Sequence, residues 1–226
     1  MRPKYSLLFH EVQQPITEPV TKFGGQPTWI TEPQWPLSRS TGEPMRFICQ
    51  IALDSHIFGE IAGQMAYLFI TDDETFVDNT FDPDGGENAL IIQPGTCDMP
   101  TQPLLTGPSL YKMVSDFSEE ELIPLSCEFA VEITLGEDPE SIIEDEQVHT
   151  SEEAWTQFTK LWSEIKIGGT PAFLQAPEYP AGGNWQLLLQ LDSARVPFSV
   201  NFGDVGVGYA FLSQDGKSGK FLWQCL

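Results

Sequence analysis

Basic residues are scarce in this chain: 11 Lys and Arg stand against 33 Asp and Glu, a formal charge of −22 over 226 residues. That shortage excludes direct nucleic-acid binding, because no Lys/Arg excess is present to displace counterions from phosphate. Cysteine is sparse as well. Cys49, Cys97, Cys127 and Cys225 are scattered, with no CxxC and no Cys/His cluster, so no structural zinc site is expected. The three histidines, His10, His56 and His149, lie far apart and match no metal-binding spacing. No apolar run approaches the roughly 18 residues of a membrane span. Ser6-Leu7-Leu8-Phe9 is too short for the apolar core of a signal peptide and runs at once into His10 and Glu11. The expectation is a cytoplasmic protein with free thiols, no cofactor and no membrane partner.

What the chain has instead is one segment written twice. Residues 22–36 read KFGGQPTWITEPQWP, and residues 166–180 read KIGGTPAFLQAPEYP. Lys22/Lys166, Gly24/Gly168, Gly25/Gly169, Pro27/Pro171, Pro33/Pro177 and Pro36/Pro180 are identical, while Phe23/Ile167, Trp29/Phe173, Ile30/Leu174 and Trp35/Tyr179 keep their character. Glycine and proline fix backbone geometry, so a main-chain path is repeated, with apolar groups hung at matching points. The match continues downstream. Phe47-Ile48-Cys49-Gln50-Ile51 answers Leu187-Leu188-Leu189-Gln190-Leu191, then Tyr67–Thr71 answers Tyr209–Ser213, and Leu90–Gln93 answers Phe221–Gln224. Two copies are too few for a solenoid. One globule with pseudo-twofold symmetry is expected: a single domain over 1–226, with repeat 1 at about 20–100, a connector at 101–165 and repeat 2 at 166–226.

The segments around Gln50, Tyr67, Leu90, Cys127, Gln190, Tyr209 and Leu222 are short, apolar and bounded by Gly/Pro/Asp clusters, which are strand signals. Asp82–Gly86 and Gln214–Lys217 read as hairpin turns. A helix is predicted at 151–165, capped by Thr150 and Glu153, with Trp155, Phe158, Trp162 and Ile165 on one apolar stripe. A second helix over 139–147 and a short third over 111–116 would make the connector helical. The predicted fold class is therefore α+β: two pseudo-symmetric, largely antiparallel β-rich halves joined by an acidic helical connector.

Catalytic patterns are weak. Gly203-Asp204-Val205-Gly206-Val207-Gly208 is followed by a strand rather than the helix a dinucleotide loop requires. Ser163–Lys166 matches SxxK but lacks its companion motifs. Asp82, Asp84 and Glu87 fall short of a calcium loop. Gln50 and Gln190 sit inside apolar strands, where a buried amide must find partners; they either tie the GGxP loops to the sheet or line a cleft that binds an extended peptide backbone. Trp35 and Tyr179 are candidate interface anchors, or else packing aromatics.

Charge is unevenly distributed. Residues 101–165 hold 15 acids and 2 bases, whereas 166–226 hold 4 of each. Such a stretch is either a solvated surface or a face that steers a basic protein. Glu144, Asp145 and Glu146 are the expected rim of a partner site placed at the groove between the halves.

The motifs K-[FI]-GG-x-P, P-x-[WY]-P and F-I-C-Q-I, with Phe81-Asp82-Pro83-Asp84-Gly85-Gly86-Glu87-Asn88, resemble the bacterial YwqG-like family of unknown function. The resemblance runs from about residue 20 to the carboxy terminus. That family is distantly similar to the carboxy-terminal domain of programmed cell death protein 2, a chaperone-like partner of a ribosomal protein, whose cysteine-rich zinc module has no counterpart here. The resemblance brings no catalytic residues and implies a duplicated α+β domain that binds protein rather than performing chemistry. The expected function is non-enzymatic binding of a basic protein, chaperone-like or toxin-neutralising. The alternative is a hydrolase or transferase with a site in the cleft between the repeats.

Overall fold

The computed structural model describes residues 1–72, 78–116, 121–142 and 151–226. In chain order its elements are β1 (Arg2–Glu11), β2 (Lys22–Gly24), β3 (Trp35–Pro36), β4 (Arg46–Ala52), α1 (Ser55–Phe58), β5 (Met65–Ile70), β6 (Asn88–Gln93), β7 (Thr101–Gln102), β8 (Tyr111–Asp116), β9 (Glu121–Ser126), β10 (Glu128–Asp138), α2 (Glu152–Trp162), β11 (Lys166–Gly168), β12 (Trp185–Asp192), β13 (Val207–Ser213) and β14 (Gly219–Gln224).

Ten strands form one antiparallel sheet in the order β14-β13-β12-β11-β1-β10-β2-β4-β5-β6. The order is a palindrome about the β1–β10 pair, which runs in register from Arg2↔Asp138 to Glu11↔Phe129. Each half starts with a long strand and continues through four more. The long strands are exchanged: β1 pairs with β11 of the second half, and β10 with β2 of the first. The sheet curls until its two edge strands, β6 and β14, come together, giving a nearly closed barrel. Both halves carry a bulge at the same point, between Phe47 and Cys49 and between Leu187 and Leu189.

The apolar runs are continuous because most strands are buried on both faces. In β5, Ala66, Leu68 and Ile70 join the shared interior, while Met65, Tyr67 and Phe69 face an outer layer. In β13, Ala210 and Leu212 face inward and Val207, Tyr209 and Phe211 outward. Each outer layer lies under its own GGxP loop. The double glycine is needed at the start of that loop: Gly24 and Gly168 have φ of 71° and 74°, and a Cβ at Gly24 would stand 2.2 Å from the Cys127 carbonyl oxygen.

The fold is mostly β, which corrects the α+β expectation, and the described part of the connector holds more strand than helix. Tyr111–Asp116 is a strand because it pairs along its length with Glu121–Ser126, from Tyr111↔Ser126 to Asp116↔Glu121. Residues 139–142 are not helical, and the rest of the predicted helix over 139–147 lies outside the described residues. One helix of the connector stands, α2, with Ser151 rather than Thr150 as its described cap: Ala154 N–H donates to Ser151 Oγ at 3.0 Å. The long strand β1 carries no strong periodic signal; ten ladder pairs to β10 impose it.

Candidate functional site

The residues repeated in sequence make the same hydrogen bonds in both halves. Thr28 N–H donates to Gln50 Oε1 at 2.8 Å, and Ala172 N–H to Gln190 Oε1 at 2.9 Å. The Tyr67 hydroxyl donates to the Thr28 carbonyl at 2.8 Å and accepts from Ile30 N–H; the Tyr209 hydroxyl donates to the Ala172 carbonyl at 3.0 Å and accepts from Leu174 N–H. Gln93 holds the loop through Thr31 N–H and the Glu32 carbonyl, as Gln224 does through Gln175 N–H and the Ala176 carbonyl. The second side of each strand glutamine is also used. Gln50 Nε2 donates to the Val20 carbonyl, and Gln190 Nε2 to those of Leu161, Trp162 and Glu164. Burial pushes the Tyr67 phenol up to about 12 and moves Tyr209 the same way, so both stay protonated donors. These groups hold loops to the sheet, and Gln50 and Gln190 are wholly buried, out of reach of a peptide.

The paired lysines are buried too. Lys22 Nζ donates to Glu128 Oε1 at 2.7 Å and to the Ile16 carbonyl; Lys166 Nζ donates to Asp138 Oδ2 at 2.6 Å and to the Thr170 carbonyl. In the second half Lys4 adds a second cation, 2.8 Å from Asp138 Oδ1 and 2.6 Å from Glu164 Oε2. Burial opposes the charged form of Asp138, but hydrogen bonds from Lys166 and Lys4 outweigh it and hold the carboxyl below its ordinary range. Burial likewise opposes charge on Lys4, and bonds to Asp138 and Glu164 raise it above its ordinary value. In the sequence Lys22 and Lys166 read as part of a backbone motif, with nothing to name their acids. A lysine inside an apolar strand was the available signal, since a buried ammonium must be paired.

Where β6 and β14 meet, a cleft of about 950 Å³ opens at the seam between the halves. Its walls include Arg39, Asp84, Cys97, Trp185, Asp215 and Lys220. Lys220 Nζ pairs with Asp84 across the seam. Among the described residues no histidine lines the cleft, and burial raises the Cys97 thiol rather than activating it. Among the described residues no histidine is hydrogen-bonded to a serine or cysteine, and no group of His, Cys, Asp or Glu is placed to hold a metal ion.

The predicted partner residues are dispersed. Trp35 is wholly buried and donates its indole N–H to the Met45 carbonyl at 2.7 Å. Its counterpart Tyr179 is 51% exposed, packed on Phe173 and Phe211 as Trp35 is on Trp29 and Phe69. Gln50 and Gln190 are inaccessible. Glu144, Asp145 and Glu146 lie outside the described residues. In the same acidic run, Glu137, Glu140, Glu152 and Glu153 are exposed, whereas Asp138 is turned inward to the lysines.

The fold and its bonding define an internally duplicated β-sheet protein with exchanged first strands. The chain belongs to a family described as a domain of unknown function (DUF1963), which matches residues 21–221. No match is found among curated proteins.

Proposed function

We propose that this chain is a non-catalytic domain that binds a basic protein. The observation that carries the proposal is the placement of charge: 15 acids against 2 bases over residues 101–165, with Glu137, Glu140, Glu152 and Glu153 open to solvent. Clustered charge of one sign raises the association rate of an oppositely charged partner and is screened by salt. The repeated polar residues support the same reading, because they are buried and bonded to loops. A chaperone-like or toxin-neutralising role in the cytoplasm, and kinship with the YwqG-like family and programmed cell death protein 2, belong to this proposal. Among the described residues no histidine bonds to a serine or cysteine to form a catalytic pair, so the hydrolase or transferase alternative is not favoured.

The test is affinity capture with the full chain at low and at high salt, followed by association kinetics of the captured partner. Basic partners retained at low salt and released at high salt are expected. Replacing Glu144, Asp145 and Glu146 with Gln, Asn and Gln should slow association and flatten its salt dependence while the melting temperature holds. Recovery of only neutral or acidic partners, insensitive to salt, would overturn the proposal.

A further inference from the structure

The two halves differ in how their outer layers are covered. Trp35 and Met45 are wholly buried where β3 pairs with β7 and residues 37–44 follow. By the repeat, their counterparts are Tyr179 and Trp185. Only residues 181–184 separate Pro180 from Trp185, and among the described residues the second half has no sheet like that of β3 with β7. Tyr179 is open as a result, and Trp185 is half-buried.

The cleft at the β6–β14 seam lies where this symmetry fails. Its walls draw on residues 37–39 and 96–100 on one side and 181–185 on the other. Cross-strand partners share a face. Ala89 and Ile91 pair with Phe69 and Tyr67, while Trp185 and Lys220 pair with Ser213 and Phe211. The floor is therefore the outer face of the sheet where it crosses the seam. Its volume of about 950 Å³ falls at the upper end of the range for ligand sites. Trp185 supplies the aromatic wall. Its indole N–H, beside Gly183, has no acceptor among the described residues, which leaves that wall one hydrogen bond short.

Charge indicates the occupant. The cleft carries Asp84, Asp98 and Asp215 against Arg39 and Lys220. Lys220 is paired with Asp84, and Arg39 Nη1 donates to the Asp84 carbonyl at 3.3 Å. Neither Asp98 nor Asp215 is in an ion pair among the described residues, and Lys217 acts on Asp215 without reaching ion-pair distance. Trp185 and Asp215 are neighbours, because the Ser213 opposite Trp185 donates its hydroxyl to Asp215 at 2.7 Å. An aromatic face thus adjoins carboxylates that lack a cation.

We infer that this cleft receives an extended basic segment of the partner, with an apolar side chain laid on Trp185 and Lys or Arg side chains at Asp98 and Asp215. The inference rests on the proposed binding of a basic protein and gives that binding a place. Arg39, which has no ion pair of its own among the described residues, donates to the segment's carbonyl oxygens.

Three acetylated, amidated peptides test it against the full chain at low salt, alternating lysine with leucine, lysine with serine, and glutamate with leucine. The lysine–leucine peptide should bind most tightly and move the Trp185 indole proton resonance, assigned by its disappearance in Trp185→Phe. The double variant Asp98→Asn, Asp215→Asn should bind it about fivefold more weakly, as the loss of two exposed ion pairs requires. Its melting temperature should hold, because both carboxylates are exposed and asparagine keeps an acceptor for Ser213. Equal affinity for variant and parent with an unmoved Trp185 resonance overturns the inference, as does failure of the lysine–leucine peptide to bind. Tighter binding of the glutamate–leucine peptide would make the cleft an anion site at Arg39 and also overturn it. The salt-dependent capture of basic proteins is a separate measurement: if it succeeds while the cleft fails, the basic-partner reading stands and the site lies elsewhere.

Discussion

The least replaceable side chains here are polar ones in apolar surroundings. Gln190 accepts from one buried backbone amide and donates to three carbonyls, so Gln190→Leu leaves several backbone groups unsatisfied. A loss of about 1–3 kcal/mol is expected, with a similar loss for Gln50→Leu, read from urea midpoints. Unchanged midpoints would mean that the GGxP loops hold without their glutamines. Asp138 makes a prediction in pH. Its folded pKa lies below the ordinary carboxylate value of 3.8, so its contribution is complete above that value and is lost as pH falls through the folded one. Asp138→Asn should cost about 3–5 kcal/mol at pH 7 by leaving Lys166 and Lys4 without their shared acid. The gap between variant and parent should narrow below pH 3.8 in paired urea titrations; a constant gap would locate the acid sensitivity elsewhere.

At the scale of elements, the helix and the strands were unequally readable. The Trp155, Phe158, Trp162, Ile165 stripe identified α2, and the structure buries Phe158, packs Trp162 on the second outer layer and leaves Trp155 exposed. Its cap is local, and Ser151→Ala should speed amide exchange in α2 about fivefold, equivalent to roughly 1 kcal/mol, without moving the global urea midpoint. The errors lie in segments whose pairing is non-local. Tyr111–Asp116 is too short for periodicity to separate helix from strand, and the partner that decides it is a separate segment, Glu121–Ser126. Arg2–Glu11 finds its partner more than a hundred residues away, at Phe129–Asp138. The Lys-acid pairs were hidden for the same reason: a buried lysine demands an acid, but nothing local says which of 33 supplies it.

The molecule as a whole is constrained by the exchange of β1 and β10. Neither half holds its own first strand, so each depends on the other for a pairing edge as well as for the shared interior. Fragments 1–100 and 101–226 should therefore remain unfolded when made separately and regain far-UV and near-UV dichroism when mixed from denaturant. A stable monomer from fragment 1–100 would show that the exchange is dispensable. The seam between β6 and β14 makes the same point, since Lys220 of one half is paired with Asp84 of the other.

By itself the sequence determined the duplication, the strands around Gln50, Tyr67, Gln190 and Tyr209, the glycine turns and the acidity, because each depends on residues close together or on composition. Only the tertiary structure decided that the described part of the connector holds more strand than helix, that the first strands are exchanged, and that the sheet curls back on itself. It also decided that Trp35 is buried while Tyr179 is open, and that four apolar residues stand uncovered on the β8–β9 hairpin. Hydrogen-bond pairing between distant strands and burial against distant side chains set these outcomes, and neither leaves a periodic mark in the segment whose fate it settles.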